Sequence, residues 1–281
     1  MKSGIYLIAS PIGNISDISL RAVDVLKNAN LIACEDTRVS KKLFNLLGIS
    51  IEGKNFVALH DFNEEKTSLK IVEAAKNGNV VAYMSDAGSP LISDPGYKLV
   101  KCAKENNVYL TTVPGACAVI CALQLSGLPS NTFMFCGFVP NKEKSRHDFL
   151  DKYSSLDTTL IFYERADRLL KTLNVMASIF SKREIAVARE ITKIYEECIN
   201  GSAEELIQYF GENPPKGEIV ILVSPQKDED INIDFTQELE QELKKNNLKI
   251  AVKNIVERYK INRNEVYKKA LELKDNGWNF R

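Results

Sequence analysis

Short apolar runs recur along the chain at residues 4–9 (GIYLIA), 30–34 (NLIAC), 56–59 (FVAL), 79–84 (NVVAYM) and 108–113 (VYLTTV), separated by helix-like stretches. Runs of four to six apolar residues bounded by polar turns read as strands buried on both faces. Their alternation with helices predicts an α/β fold with a mostly parallel sheet. After Pro114-Gly115 a helix of small residues, ACAVICALQLSG, opens a second series, with strands expected at 133–138 (FMFCGF), 158–164 (TTLIFYE), 184–190 (EIAVARE) and 217–223 (GEIVILV). The pattern divides the chain into an N-terminal α/β domain, 1–118, and a second α/β domain, 119–224.

A polar, acidic stretch at 225–234 reads as a linker. Beyond it, 235–281 forms a basic helical module with helices starting near Phe235, Lys249 and Arg263. Ile250, Val252, Ile255 and Val256, then Ile261, Val266, Tyr267, Ala270 and Leu271, are the expected apolar positions of two helices joined by a short turn, compatible with a helix-turn-helix. Residues 241–281 carry eleven Lys or Arg against five Asp or Glu, whereas the whole chain has 37 of each sign. The body is therefore acidic and the tail basic. Lys249, Lys253, Arg258, Lys260, Arg263, Lys268, Lys269 and Lys274 fit a solvated face or a polyanion; the helix pair favours RNA.

Several function classes drop out. No eighteen apolar residues run together, and the first apolar stretch is interrupted by Pro11 and Gly13, so a cytoplasmic protein is expected. Six cysteines without a CxxC pair and only two histidines, His60 and His147, give little material for a metal centre, and none is expected. Neither a GxGxxG nor a GxxxxGK[ST] loop is present, which argues against nicotinamide and P-loop enzymes.

Ligands of open α/β sheets collect beyond the carboxyl ends of the strands. Four sets of residues there stand out. Ser10-Pro11-Ile12-Gly13-Asn14 turns sharply after the first strand. SDAGSPLISDPG, 85–96, holds more turn-forming and acidic residues than a plain connection needs. Capping of the helix from Tyr97 accounts for Asp94-Pro95 but not for Asp86-Ala87-Gly88-Ser89. Val113-Pro114-Gly115-Ala116 opens a helix of small residues, against which an adenosine-like body can lie. Polar clusters follow two strands: Glu35-Asp36-Thr37-Arg38 and His60-Asp61-Phe62-Asn63-Glu64. Any one of these charges is more often a solvated cap; their coincidence on one sheet edge favours a substrate site.

SPIGN, EDTR, HDFNE, SDAGSPLISDPG, VPG, GLPS, LIFYE, AREITK and GEIVILV, in this order and spacing, resemble the ribosomal RNA small subunit methyltransferase I family of the tetrapyrrole-methylase superfamily. The resemblance spans nearly the whole chain. It implies two α/β domains with the cofactor cleft between them, S-adenosyl-L-methionine as cofactor, and a homodimer. The implied reaction is 2′-O-methylation of the ribose of a cytidine, cytidine-1402, in 16S ribosomal RNA at the decoding centre. Carried over by position, the cofactor would meet Ile12, Asp86, Gly88, Ser89, Ile92, Gly115 and Ala116, and from the second domain Phe162, Tyr163, Ala188 and Glu218. Glu35, Asp36, Thr37, Arg38, Phe62 and Asn63 are the candidates for RNA contact.

Methyl transfer to a hydroxyl needs a group that accepts the proton or stabilises the oxyanion. His60, Glu64, Glu190 and Lys193 are candidates, and the residues alone do not rank them. Two alternatives stay open: a methyltransferase of the same fold acting on a tetrapyrrole or a protein, and a non-catalytic ribosome-assembly factor.

Overall fold

A computed structural model describes residues 1–226, 234–259, 261 and 263–275. Two compact units divide the chain, 1–226 and 227–281. Most of the expected linker, 227–233, lies outside the described residues.

Strands β1 (Gly4–Ile8), β2 (Leu31–Cys34), β3 (Asn55–Ala58), β4 (Val80–Met84) and β5 (Leu110–Val113) form the first sheet in the order β3-β2-β4-β1-β5. Every neighbouring pair is parallel. Strand β4 is buried along its whole length, which is why it reads as an unbroken apolar run. Helices α1 (Leu20–Asn28) and α2 (Thr37–Leu46) place Val25, Leu26 and Phe44 on one face of the sheet. On the other face α3 (Glu64–Lys76) and α4 (Tyr97–Glu105) place Ile71, Val72, Leu99 and Ala103. Burying each large apolar side chain contributes about 2 kcal/mol. Cutting Phe44, which is fully buried, to Ala is expected to cost roughly 3 kcal/mol or more.

The second lobe runs through α5 (Ala118–Ser126), β6 (Phe133–Phe138), α6 (Glu143–Asp151), β7 (Thr159–Arg165), α7 (Leu169–Ile179), β8 (Ile185–Arg189), β9 (Glu197–Gly201), α8 (Ala203–Glu212) and β10 (Glu218–Val223). Its sheet has the order β6-β7-β10-β8-β9 and is mixed. β6 and β7 pair in parallel, whereas the β7–β10, β10–β8 and β8–β9 pairs are antiparallel. Helices α6, α7 and α8 cover one face through Leu150, Leu173, Met176, Leu206 and Phe210. Helix α5 lays Val119, Ala122 and Leu123 on the other. The change of lobe therefore falls between β5 and α5. Strand β9 was not expected from the sequence: ECING is half-polar and half-buried, with no apolar run to mark it.

In the second unit, α9 (Thr236–Lys245), α10 (Leu248–Tyr259) and α11 (Arg263–Asp275) surround a small core. Leu239, Leu243, Ala251, Val252, Ile255, Val266 and Ala270 fill it. Ile250, Tyr267 and Leu271, expected inside, are exposed, because the 3.6-residue repeat brings Ala251 inward in place of Ile250. Lys249, Lys253, Arg258, Arg263 and Lys268 are exposed on this unit.

Candidate active site

Strands β1 and β4 are neighbours, yet α1 and α4 cover opposite faces of the sheet. The loops leaving these strands consequently part and open a crevice at their carboxyl ends. The loops are still tied at one point. Ser10 N–H donates to Gly88 O at 2.8 Å and Gly88 N–H to Ser10 O at 3.0 Å. Buried Ser10 adds a bond from its hydroxyl to Ser85 O at 3.0 Å. Further along, Ser89 Oγ donates to Ala116 O at 3.1 Å, joining the β4–α4 loop to the segment after β5.

Between Ser89 and Gly96 the backbone turns through unusual conformations, with Leu91 at φ 72° and Ser93 at φ 66°. Left-handed residues other than glycine cost of order 1 kcal/mol and persist only where the surroundings hold them. The far end of the loop is held firmly. Gly96 has φ 125°, and a Cβ there would lie 2.6 Å from the Tyr83 ring. The Tyr83 hydroxyl donates to Pro95 O.

The second lobe supplies the opposite wall from the ends of β6, β7 and β10 and from the loop joining β8 to β9. A cleft of about 320 Å³ results, within the size range of small-molecule sites. Ile12, Asp86, Gly88, Ser89, Ile92, Tyr163 and Glu218 line it, as do Glu190 and Lys193. Gly115 and Ala116 are not on the lining, although Ala116 receives the Ser89 bond. Phe162 and Ala188 are fully buried in the core. Strand side chains alternate, so Tyr163 facing the cleft turns Phe162 to the other side of the sheet. Ala188 lies in the core packed around α5.

The candidates for proton handling separate. Glu190 and Lys193 pair at 2.9 Å. They sit in a constrained turn, with Glu190 at φ 50° and Thr192 at φ 65°. His60 is exposed, and its backbone N–H donates to Asn63 Oδ1. Glu64 is buried, its Oε1 accepting from the backbone N–H of Gly96 and of Lys98, both at 2.8 Å.

Of the residues expected to meet RNA, Glu35 lines the cleft. Asp36 caps α2 by accepting from Arg38 N–H, and a side-chain bond from Arg38 holds its carboxyl down at about 2. Thr37 starts α2. Arg38 is exposed, its guanidinium 2.6 Å from Asp36. Asn63 closes the turn before α3, donating to Ala58 O at 3.0 Å. Phe62 is 99% exposed.

Sequence reasoning passed over Cys117, Ala118, Phe138 and Glu164, which also line the cleft. Phe138 ends a strand, and Ala118 starts a helix just after the Val113–Ala116 turn, so the strand-end rule could have found both. Burial raises the pKa values of Glu35, Asp86 and Asp94, and nearby carboxylates add to it: Asp86 and Asp94 act on Glu35, Asp36 on Asp86, and Asp86 and Glu218 on Asp94. Asp36 N–H, donating to Asp86 Oδ1 at 3.0 Å, acts in the other direction on Asp86. Glu35, Asp86, Asp94 and Glu218 together make the lining acidic.

The lobes touch across the cleft through SPIGN and AREITK. Asn14 N–H donates to Thr192 Oγ1 at 3.0 Å. Gly13 fits so closely that a Cβ would lie 2.6 Å from Lys193 Cγ and 2.8 Å from Ile191 O.

This two-lobed architecture, with its cleft at the strand ends, is that of the tetrapyrrole methylases. The profile of the Tetrapyrrole (Corrin/Porphyrin) Methylases matches residues 4–207, from β1 into α8. A diphthine synthase structure superposes with a TM-score of 0.59 over 78% of this chain and 89% of that one, at 14% identity. A cobalt precorrin-4 methyltransferase does so with a TM-score of 0.56 over 78% and 94%, at 16% identity. Identities this low speak for the fold alone. Ribosomal RNA small subunit methyltransferase I of Erythrobacter litoralis is 44% identical over 277 residues, covering 98% of this chain and 96% of its own. Its counterpart from Rickettsia prowazekii is 46% identical over 224 residues, covering 80% and 79%, and that of Escherichia coli O157:H7 is 38% identical over 273, covering 95% and 94%. Within the tetrapyrrole methylases, the chain belongs to the ribosomal RNA small subunit methyltransferase I family.

Proposed function

We propose that this chain methylates the ribose 2′-oxygen of a cytidine, cytidine-1402, in 16S ribosomal RNA, with S-adenosyl-L-methionine as methyl donor. The observation that carries the reading is a cleft in which an acidic wall, with Glu35, Asp86 and Asp94, shares its lining with Glu190 and Lys193, whose charged groups lie 2.9 Å from each other. The near full-length match to small-subunit ribosomal RNA methyltransferases supports the RNA as acceptor.

The lining fits the donor. Surplus carboxylates suit a ligand that carries a sulfonium and an ammonium group, and Ile12, Ile92 and Val220 offer apolar surface to its body. When bound, the donor supplies an electrophilic methyl group. Ile12, Asp86, Gly88, Ser89 and Ile92, with Gly115 and Ala116 beside them, would hold it from the first lobe. Tyr163 and Glu218 would close over it from the second, with Phe162 and Ala188 supporting them from the core.

Glu190 accepts the proton of the 2′-hydroxyl, and Lys193 fixes that carboxylate and stabilises the developing oxyanion. Burial as a helix cap removes Glu64 from this role, and His60 is absent from the cleft lining. Phe62, fully exposed beside the turn, serves as a stacking platform for a splayed base. Glu35, Thr37 and Arg38 meet the RNA nearby, on loops shaped by Asp36 and Asn63. The basic second unit holds phosphates.

A homodimer is supported by the edge strand β6, which leaves Phe133 and Met134 exposed for a second copy to cover. The chain acts in the cytoplasm, where its RNA is found; no helix among the described residues is long and apolar enough to cross a membrane.

Incubation with labelled S-adenosyl-L-methionine and small ribosomal subunits, followed by mapping of 2′-O-methyl groups, tests the reaction. Label on the cytidine ribose is expected, and RNA without label would overturn it. Titration with the donor alone separates an enzyme from an assembly factor, which would not bind.

A further inference from the structure

The HDFNE segment takes no part in the chemistry above, apart from Phe62, yet it contains a carboxylate that is 5% exposed. Asn63 bonds back to His60 N–H and to Ala58 O, which fixes the turn. Glu64, the next residue and the first of α3, reaches across to α4 with a single oxygen. That Oε1 takes the N–H groups of Gly96 and Lys98 at 2.8 Å each. These are otherwise orphan donors at the start of a helix, where an anion is most favourable. Neither Gly96 nor any other residue of α4's own cap supplies a side-chain acceptor. Helix α4 is therefore capped from α3, thirty-odd residues earlier in the chain.

We propose that Glu64 is a positioning residue for the methyl donor: by capping α4 it fixes the far end of the Ser89–Gly96 loop. That loop contains the left-handed residues Leu91 and Ser93 and contributes Ser89, Ile92, Ser93 and Asp94 to the cleft. The near end is already fixed by the Ser10–Gly88 pair and the bond from Ser89 to Ala116. Releasing the far end lets the strained turns relax and withdraws Ile92 and Asp94 from the lining. The proposal rests on the donor occupying this cleft.

What Glu64 must supply is an acceptor at a given reach, so two near-isosteric changes discriminate. Glu64→Gln keeps the length and a carbonyl oxygen able to accept both bonds. Glu64→Asp keeps the charge but falls one methylene short. Titration of the purified full-length variants with S-adenosyl-L-methionine should give a dissociation constant within about threefold of wild type for Glu64→Gln, and about tenfold weaker for Glu64→Asp. Affinity for small ribosomal subunits without the donor should stay within about twofold for both. Hydrogen exchange read on the peptide spanning 89–98 should accelerate in Glu64→Asp and remain slow in Glu64→Gln. Equal donor affinity in all three proteins would overturn the proposal, and so would Glu64→Asp binding like wild type while Glu64→Gln loses affinity. A wild-type protein that does not bind the donor at all would instead refute the functional reading.

Discussion

On the first lobe the shape of the cleft wall is set by main chain: Ser89 and the left-handed turns at Leu91 and Ser93 are held by backbone pairs and by caps that come from other elements, and they carry Ile92 and Asp94 to the lining. On the second lobe it is lined by side chains at strand ends and in one loop, with Phe138, Tyr163, Glu190, Lys193 and Glu218 projecting inward. Main chain is indifferent to most substitutions but intolerant of any that alter its path. Side chains at strand ends can be exchanged without disturbing the sheet. A wall of the first kind suits a donor common to a whole fold, and one of the second kind suits chemistry that differs among its members. The two walls should therefore fail differently when altered.

The largest effect is expected from the main-chain wall. Gly96→Ala forces a φ of 125° on an L-residue and drives its Cβ into the Tyr83 ring, which should cost about 3 kcal/mol in urea unfolding. If stability is unchanged, the backbone wall is not rigid at Gly96. On the other wall, Glu190→Gln should leave unfolding and donor affinity close to wild type while lowering kcat about a hundredfold in single-turnover assays. A loss confined to donor affinity would reverse the two roles. Removing residues 235–281 deletes none of the residues that line the two walls: RNA affinity should fall about tenfold and its salt dependence should flatten, with donor titration unaltered. Weakened donor binding with intact RNA binding would contradict that.

The smallest effect is in pH. Burial raises the Asp94 pKa, so the folded protein keeps a proton that the unfolded chain has already released. Stability therefore falls as pH rises through that window above the ordinary carboxylate range. Asp94→Asn should raise the unfolding temperature at pH 7 by roughly 2 °C, a small value because the group is partly exposed. The gain should vanish near about pH 3, where both states hold the proton. An equal gain at both values would point to packing rather than charge. The same change should weaken donor binding, since stability is traded for the acidic lining.

Strands were legible wherever an apolar run marked them, and ECING was missed because it is half-polar and only partly buried, so it carries no such run. Direction was not legible in the second lobe: EIVILV looks the same in a parallel or an antiparallel centre, since both are buried on two faces. For the site, strand-end loops directed attention to Asp86, Gly88 and Ser89, all of which line the cleft. Phe162 shows the limit, because a shift of one residue along a strand exchanges core for cleft. Glu64 shows another: a helix cap supplied from a distant element leaves no local pattern, and an acidic residue after a strand reads equally as a catalyst.

The contact of Gly13 and Asn14 with Thr192 and Lys193 has a consequence for inheritance. The lobes meet there as gauge and gap, so a change on one side is tested against the shape of the other. Chimaeras joining the first lobe of one relative to the second lobe of another, spliced between β5 and α5, would inherit two good folds and a mismatched seam. Exchanging residues 10–14 and 190–196 as a pair should restore them. The unit of exchange in this protein is thus a pair of loops lying far apart in the sequence.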